Sequence, residues 1–110
     1  MIDVHAVCRA FPEAVLSYPF GEETAVYKVG GKIFALTGVE SPASVNLKAE
    51  PPDVTGLVDT YAAVTRGYHM NKKHWITVQL DGDLPEGLLE ELIEDSYDLI
   101  VDKLPARDRP

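Results

Sequence analysis

Thr24-Ala25-Val26-Tyr27-Lys28-Val29, then Gly30-Gly31, then Lys32-Ile33-Phe34-Ala35-Leu36-Thr37 is the stretch on which the fold turns. Two alternating runs rich in β-formers flank a glycine pair. A two-residue type I′ turn needs positive φ at both central positions, which glycine supplies without a steric cost. Such a turn predicts Val29 opposite Lys32, Tyr27 opposite Phe34 and Ala25 opposite Leu36. One face of the hairpin then carries Ala25, Tyr27, Val29, Phe34 and Leu36 and is taken as the core side. The other carries Thr24, Val26, Lys28, Ile33, Ala35 and Thr37.

On the N-terminal side of the hairpin, Asp3 caps a short helix through about Phe11, with Val4, Val7, Cys8 and Phe11 at helical spacing. Pro12 ends that helix or opens a second turn through Leu16, and Tyr18-Pro19-Phe20-Gly21 reads as a turn. On the C-terminal side, Ser44 to Ala49 is a third strand with Val45, Leu47 and Ala49 inward and Ser44, Asn46 and Lys48 outward. Pro51-Pro52-Asp53 opens a helix through about Tyr61, since proline suits the first helical turn. Ala62 to Arg66 and His74 to Leu80 are further strands, the latter with Trp75, Thr77 and Gln79 outward. Pro85 to Leu104 is a long helix whose stripe is Leu88, Leu89, Leu92, Ile93, Tyr97, Ile100 and Leu104. The order α-β-β-β-α-β-β-α predicts a two-layer α+β fold, an antiparallel sheet with helices on one face.

The 110 residues are enough for one domain, assigned to residues 1–105, with a polar tail at 106–110. Ten Lys+Arg against 18 Asp+Glu give a net charge of −8, which excludes attachment to nucleic acid or an anionic membrane by bulk charge. The charge is uneven. Residues 81–102 carry nine acids and no Lys or Arg, whereas residues 60–80 carry Arg66, Lys72 and Lys73 and no acid. The acidic side of the last helix reads as a solvated surface, and nothing pairs it with a nucleophile or metal ligand. The single cysteine excludes an internal disulfide. The first residues lack the features of a signal peptide, and no run approaches a membrane span. The expected location is cytoplasmic, without a membrane partner.

Arg66-Gly67-Tyr68-His69-Met70-Asn71-Lys72-Lys73-His74-Trp75 concentrates three cations, two histidines, two aromatics and an amide in ten residues. Cations neutralise phosphates, Asn donates to phosphate or base edges, and Tyr or Trp stacks on bases. Strand parity puts Trp75 on the face that carries Lys28 and Lys48. Composition by itself favours a plainer reading, with Trp75 covering the sheet edge or packing under the loop and the lysines keeping that loop soluble. His5, His69 and His74 lack the convergent partners a zinc site needs, so no metal or cofactor is expected. Gly30-Gly31-Lys32 fails the phosphate-loop pattern at Val26 and Ile33. Cys8, inside an amphipathic helix, reads as a small core residue rather than a nucleophile.

Pro19-Phe20-Gly21, Lys28-Val29-Gly30-Gly31-Lys32-Ile33-Phe34-Ala35, Leu47-Lys48, Gly67 to Trp75, Ser96-Tyr97 and Leu104-Pro105 together resemble the MmcQ/YjbR family across nearly the whole chain. The resemblance implies a secretion-chaperone-like two-layer fold and DNA binding through a "double wing" of strands and loops. Carried onto this sequence, it implies contacts from Lys28, Lys32, Lys48, Asn71, Lys72, Lys73, His74 and Trp75, with Arg66 joining on charge. The expected protein is thus a non-enzymatic DNA binder of weak, salt-sensitive affinity. Two other readings stay open. One is a chaperone-like adaptor that binds a protein partner. The other is a small-ligand site at Tyr68, His69, Asn71, His74 and Trp75. An enzyme ranks last, because no complete catalytic constellation is visible.

Overall fold

A computed structural model describes residues 3–39, 43–67 and 71–110. The elements run α1 (Val4–Ala10), β1 (Val15–Ser17), β2 (Thr24–Val29), β3 (Lys32–Gly38), β4 (Ser44–Lys48), α2 (Pro51–Thr60), β5 (Val64–Arg66), β6 (Trp75–Gln79) and α3 (Leu88–Asp102). The strands form one antiparallel sheet in the order β1-β2-β3-β4-β6-β5. The expected α+β architecture holds, with one short edge strand added. Residues 15–17 do not continue a helix past Pro12; they pair with Lys28, Tyr27 and Val26. No helix among the described residues is long and apolar enough to cross a membrane.

Local chemistry explains most boundaries. Asp3 caps α1 by accepting from the Ala6 amide at 3.2 Å. Prolines occupy the first turn of α2. The hairpin glycines adopt φ of 58° and 80°, as the turn type requires. The long helix starts at Leu88 rather than Pro85, because Gly87 takes a left-handed φ of 84° and turns the chain before helical geometry begins.

The hairpin register departs from expectation at one residue. Val29 pairs with Lys32 and Lys28 with Ile33, but Tyr27 then pairs with Ala35 and Val26 with Leu36. Phe34 is the extra residue of a bulge. It stays in the core, and beyond it Ala35 and Thr37 face inward, whereas Leu36 moves to the opposite face and is half-buried. The register shift also has a polar consequence. The buried Ser96 hydroxyl of α3 donates to the Phe34 carbonyl at 2.6 Å and accepts from the Lys48 amide at 2.8 Å. Regular β3–β4 pairing ends at Ala35–Leu47, so a helix side chain satisfies strand groups that lack a ladder partner.

All three helices contribute to the core on one side of the sheet. Tyr27, Phe34, Leu47, Ile76 and Ile93 are its largest fully buried side chains. Phe11 stacks on Tyr97 with centroids 4.6 Å apart, and both meet the Phe34 ring edge-on. The Tyr97 hydroxyl reaches the core rim and donates to the Pro12 carbonyl at 2.7 Å. His5 clamps α1 to the sheet, with Nδ1 2.6 Å from the Tyr27 hydroxyl and Nε2 2.9 Å from the Gly38 carbonyl. The 106–110 segment is exposed but tethered. Ala106–Asp108 form a 3-10 turn, and the Arg109 guanidinium donates to the Leu104 and Asp102 carbonyls.

Candidate nucleic-acid interface

The sheet face opposite the helices is read from the strand registers. One row crosses it as Ser17, Val26, Leu36, Asn46, Thr77 and Thr65. The row is largely polar, and Thr77 donates to Asn46 Oδ1 at 2.5 Å. Trp75 and Lys48 pair across β6 and β4 beside that row, at one end of the sheet.

At that end several expected residues come together. The Lys48 ammonium stands 6.0 Å from the Trp75 ring centroid, and the indole is partly exposed. Burial, then the neighbouring Lys103 and Lys32 ammonium groups, pull Lys48 below the usual lysine range, while Glu50 acts in the opposite direction. The turn and the end of α3 are brought together by packing. A Cβ on Gly30 would lie 2.6 Å from the Leu104 side chain, so the glycine lets the hairpin tip close against the residue after Lys103. Lys103 is absent from the residues expected from sequence. Its signal is the Leu104-Pro105 pair beside it, which marks the helix end but not what that end meets.

The segment leading into Trp75 is held from two sides. Asn71 forms a side-chain turn, its Oδ1 accepting from the Lys73 amide at 2.9 Å, and the His74 amide donates to the Asn71 carbonyl at 3.1 Å. The Ala49 amide donates to the His74 carbonyl at 2.9 Å, and the Gly67 amide to the Trp75 carbonyl at 2.7 Å. A Cβ on Gly67 would meet Trp75 Cβ at 2.6 Å, so glycine is required for the strands to close. Lys72 and Lys73 are exposed, and His74 is half-buried. Arg66 pairs in register with Ile76 on the helix-bearing side, and its guanidinium donates to Thr55 of α2 at 3.3 Å. Arg66 and Lys72 also border a shallow hollow of about 490 Å³ with Ser44, Thr65, Thr77 and Gln79.

Not every expected residue joins this surface. Lys28 shares the outer face but sits on β2, three strand spacings from β6, or about 14 Å. It pairs with Val15, near an exposed group formed by Val15, Tyr18 and Phe20 that sequence reading did not single out. Tyr68 and His69, from the small-ligand reading, lie outside the described residues. Among the described residues no three His, Cys, Asp or Glu side chains come together so as to hold a metal ion. Cys8 is fully buried, and burial pushes its thiol up to about 12, which leaves it unreactive at neutral pH.

Comparison with known proteins places this architecture. The YjbR family model matches residues 9–99. The uncharacterized protein YbdF of Escherichia coli O157:H7 is 43% identical over 99 residues, 89% of this chain and 81% of the relative. The uncharacterized protein YjbR of Escherichia coli K12 is 35% identical over 103 residues, 93% of this chain and 87% of the relative. A crystal structure of a Deinococcus radiodurans protein with a DUF419 domain superposes with a TM-score of 0.88 at 37% identity, covering 96% of this chain and 82% of that one. A Pseudomonas syringae protein gives 0.75 at 26% identity, covering 90% and 99%. With the matched region covering every strand of the sheet and most of α3, the chain belongs to the YjbR family.

Proposed function

We propose that this protein is a non-enzymatic DNA-binding protein whose contact surface is the Trp75 end of the sheet. One observation carries the reading: Lys48, with the ammonium groups of Lys103 and Lys32 acting on it, stands over a partly exposed indole, on a chain of net charge −8. Clustering like charges is unfavourable unless an anion offsets it, and each phosphate that docks there relieves the mutual repulsion of the ammonium groups. Trp75 offers a stacking surface for an unpaired base or a sugar. Lys72, Lys73 and the Arg66–Lys72 hollow extend the cationic strip along β6 and β5.

The acidic remainder of the molecule repels DNA at long range, so affinity is weak and strongly salt-dependent. With about four phosphates engaged, the log–log salt slope on duplex DNA is about −3.6. Trp75 is the chain's single tryptophan, so its emission reports binding directly. Titrating duplex and single-stranded oligonucleotides between about 50 and 200 mM salt gives quenching at the low end that fades along that slope. Lys48→Glu with Lys103→Glu, and separately Lys72→Glu with Lys73→Glu, abolish the quench while circular dichroism stays native. A wild-type protein that neither quenches nor shifts in a gel at low salt, with either kind of DNA, refutes the reading.

A further inference from the structure

A second surface, on the helix-bearing side, has the opposite character. Helix α2 packs mainly on β5, and α3 on β3 and β4, which leaves a trough between them of about 660 Å³. Its lining includes half-buried Leu57, Leu88 and Leu99 together with Leu92 and Ile76, so its floor is apolar. Six carboxylates and a single lysine, Lys48, also line it. Four of the acids, Glu91, Asp95, Asp98 and Asp102, follow one another at helical spacing along α3, a line about 16 Å long. Like charges at such spacing destabilise a helix that carries them. The mutual repulsion is visible at Asp95, where burial first, then Glu91, Asp98, Glu94 and Asp53, hold the carboxyl above its usual range.

Gly56 supplies an independent observation. It lies inside α2, where glycine costs helix stability, and a Cβ built on it meets nothing within 4 Å. No contact within the described chain calls for a glycine there. It lines the trough, where a missing side chain admits close approach from outside.

From this combination we infer that the trough between α2 and α3 docks a basic amphipathic segment of a partner protein, with apolar side chains on Leu57 and Leu92, lysines or arginines on Asp53, Asp95 and Asp98, and its backbone close to Gly56. The occupant's class follows from the spread of charge. The carboxylates do not converge on a point as a metal ion would require. A polyamine matches the acids but leaves the leucines uncovered, and a nucleic acid is repelled. This inference does not rest on the DNA-binding reading, since the two surfaces have opposite charge and share only Lys48.

The test uses the full ¹⁵N-labelled chain and a synthetic helical peptide of amphipathic leucine–lysine pattern, with a glutamate-for-lysine counterpart and spermine as controls. Saturable binding of the lysine peptide, with amide shift changes on α2 and α3, is expected; the glutamate peptide does not bind. Gly56→Leu, whose side chain enters open space, and Asp95→Lys with Asp98→Lys each weaken binding by roughly tenfold or more, with native circular dichroism. Lys72→Glu with Lys73→Glu, two residues outside the trough, retains peptide binding, which separates this result from the DNA experiment. Three results overturn the inference: shift changes confined to other elements, spermine competing as well as the peptide, or Gly56→Leu binding like wild type. Concentration-dependent self-association abolished by Gly56→Leu also overturns it, assigning the trough to a second copy of the chain.

Discussion

Ser96→Ala tests how the bulge, the helix and the Lys48 position depend on one another. The Ser96 hydroxyl is fully buried and joins the Phe34 carbonyl to the Lys48 amide, at 2.6 and 2.8 Å. Alanine removes the hydroxyl that serves both strand groups. An orphaned buried carbonyl costs about 1–3 kcal/mol, and the less buried Lys48 amide adds about 1 kcal/mol. Alanine returns about 0.5 kcal/mol as the better helix former. The net loss is about 1.5–3.5 kcal/mol. At roughly 2.1 cal/mol/K per residue the unfolding entropy of a domain this size is about 0.23 kcal/mol/K, so Tm falls by about 7–15 °C. Differential scanning calorimetry measures the fall, with Asp98→Ala on the exposed side of α3 as a control that shifts Tm little. A fall under about 2 °C for Ser96→Ala refutes the bridging role, because the strand groups must then be satisfied without the hydroxyl. Trp75 emission should move in the same variant, since Lys48 loses its anchor to α3.

Gly67→Ala forces its new methyl against Trp75 Cβ and destabilises the fold by about 1–3 kcal/mol, read by urea denaturation, with a shifted Trp75 emission maximum. Cys8 has a folded pKa raised from 9.0 to about 12, so the folded state holds the proton longer. Its contribution is whole below pH about 9 and is lost as pH rises toward about 12, a stabilisation that Cys8→Ser lacks. Native protein should therefore resist thiol reagents at pH 8 and react only after unfolding. Asp95, whose pKa is also raised in the fold, contributes in the same sense: its favourable share is present below the ordinary carboxylate range and gone at neutral pH. Asp95→Asn is expected to raise stability at pH 7 by about 0.5 kcal/mol, discounted for exposure, with the gain vanishing on acidification in a pH series of thermal melts.

Much of the fold is local chemistry and was legible residue by residue. Gly30-Gly31 dictated the hairpin because few other pairs accept positive φ twice. Asp3, Pro51 and the leucine-rich stripe of α3 marked their helices through capping, fixed φ and period. Strand parity set Trp75 on the same face as Lys28 and Lys48, since a two-residue period assigns faces without knowledge of neighbours; the β4–β6 pairing made Lys48 its neighbour. The stripe also placed the Tyr97 ring in the core, where it stacks on Phe11 and meets Phe34 edge-on.

Tertiary packing decided the rest. Val15-Leu16-Ser17 is too short to declare itself a strand and becomes one only because β2 offers an edge. The bulge at Phe34 depends on a ring held among Phe11 and Tyr97 and on a serine 62 residues further along the chain, which no local pattern reports. Lys103 and Lys32 both come to act on Lys48 with Leu104 packed on the hairpin tip, and Lys28 stands apart because two strands intervene. The acids of α3 were countable in the sequence, but the trough they line exists only once α2 settles on β5. Period and propensity act over a few neighbouring residues, whereas charge clusters and grooves are sums over elements that only the packed core brings within reach.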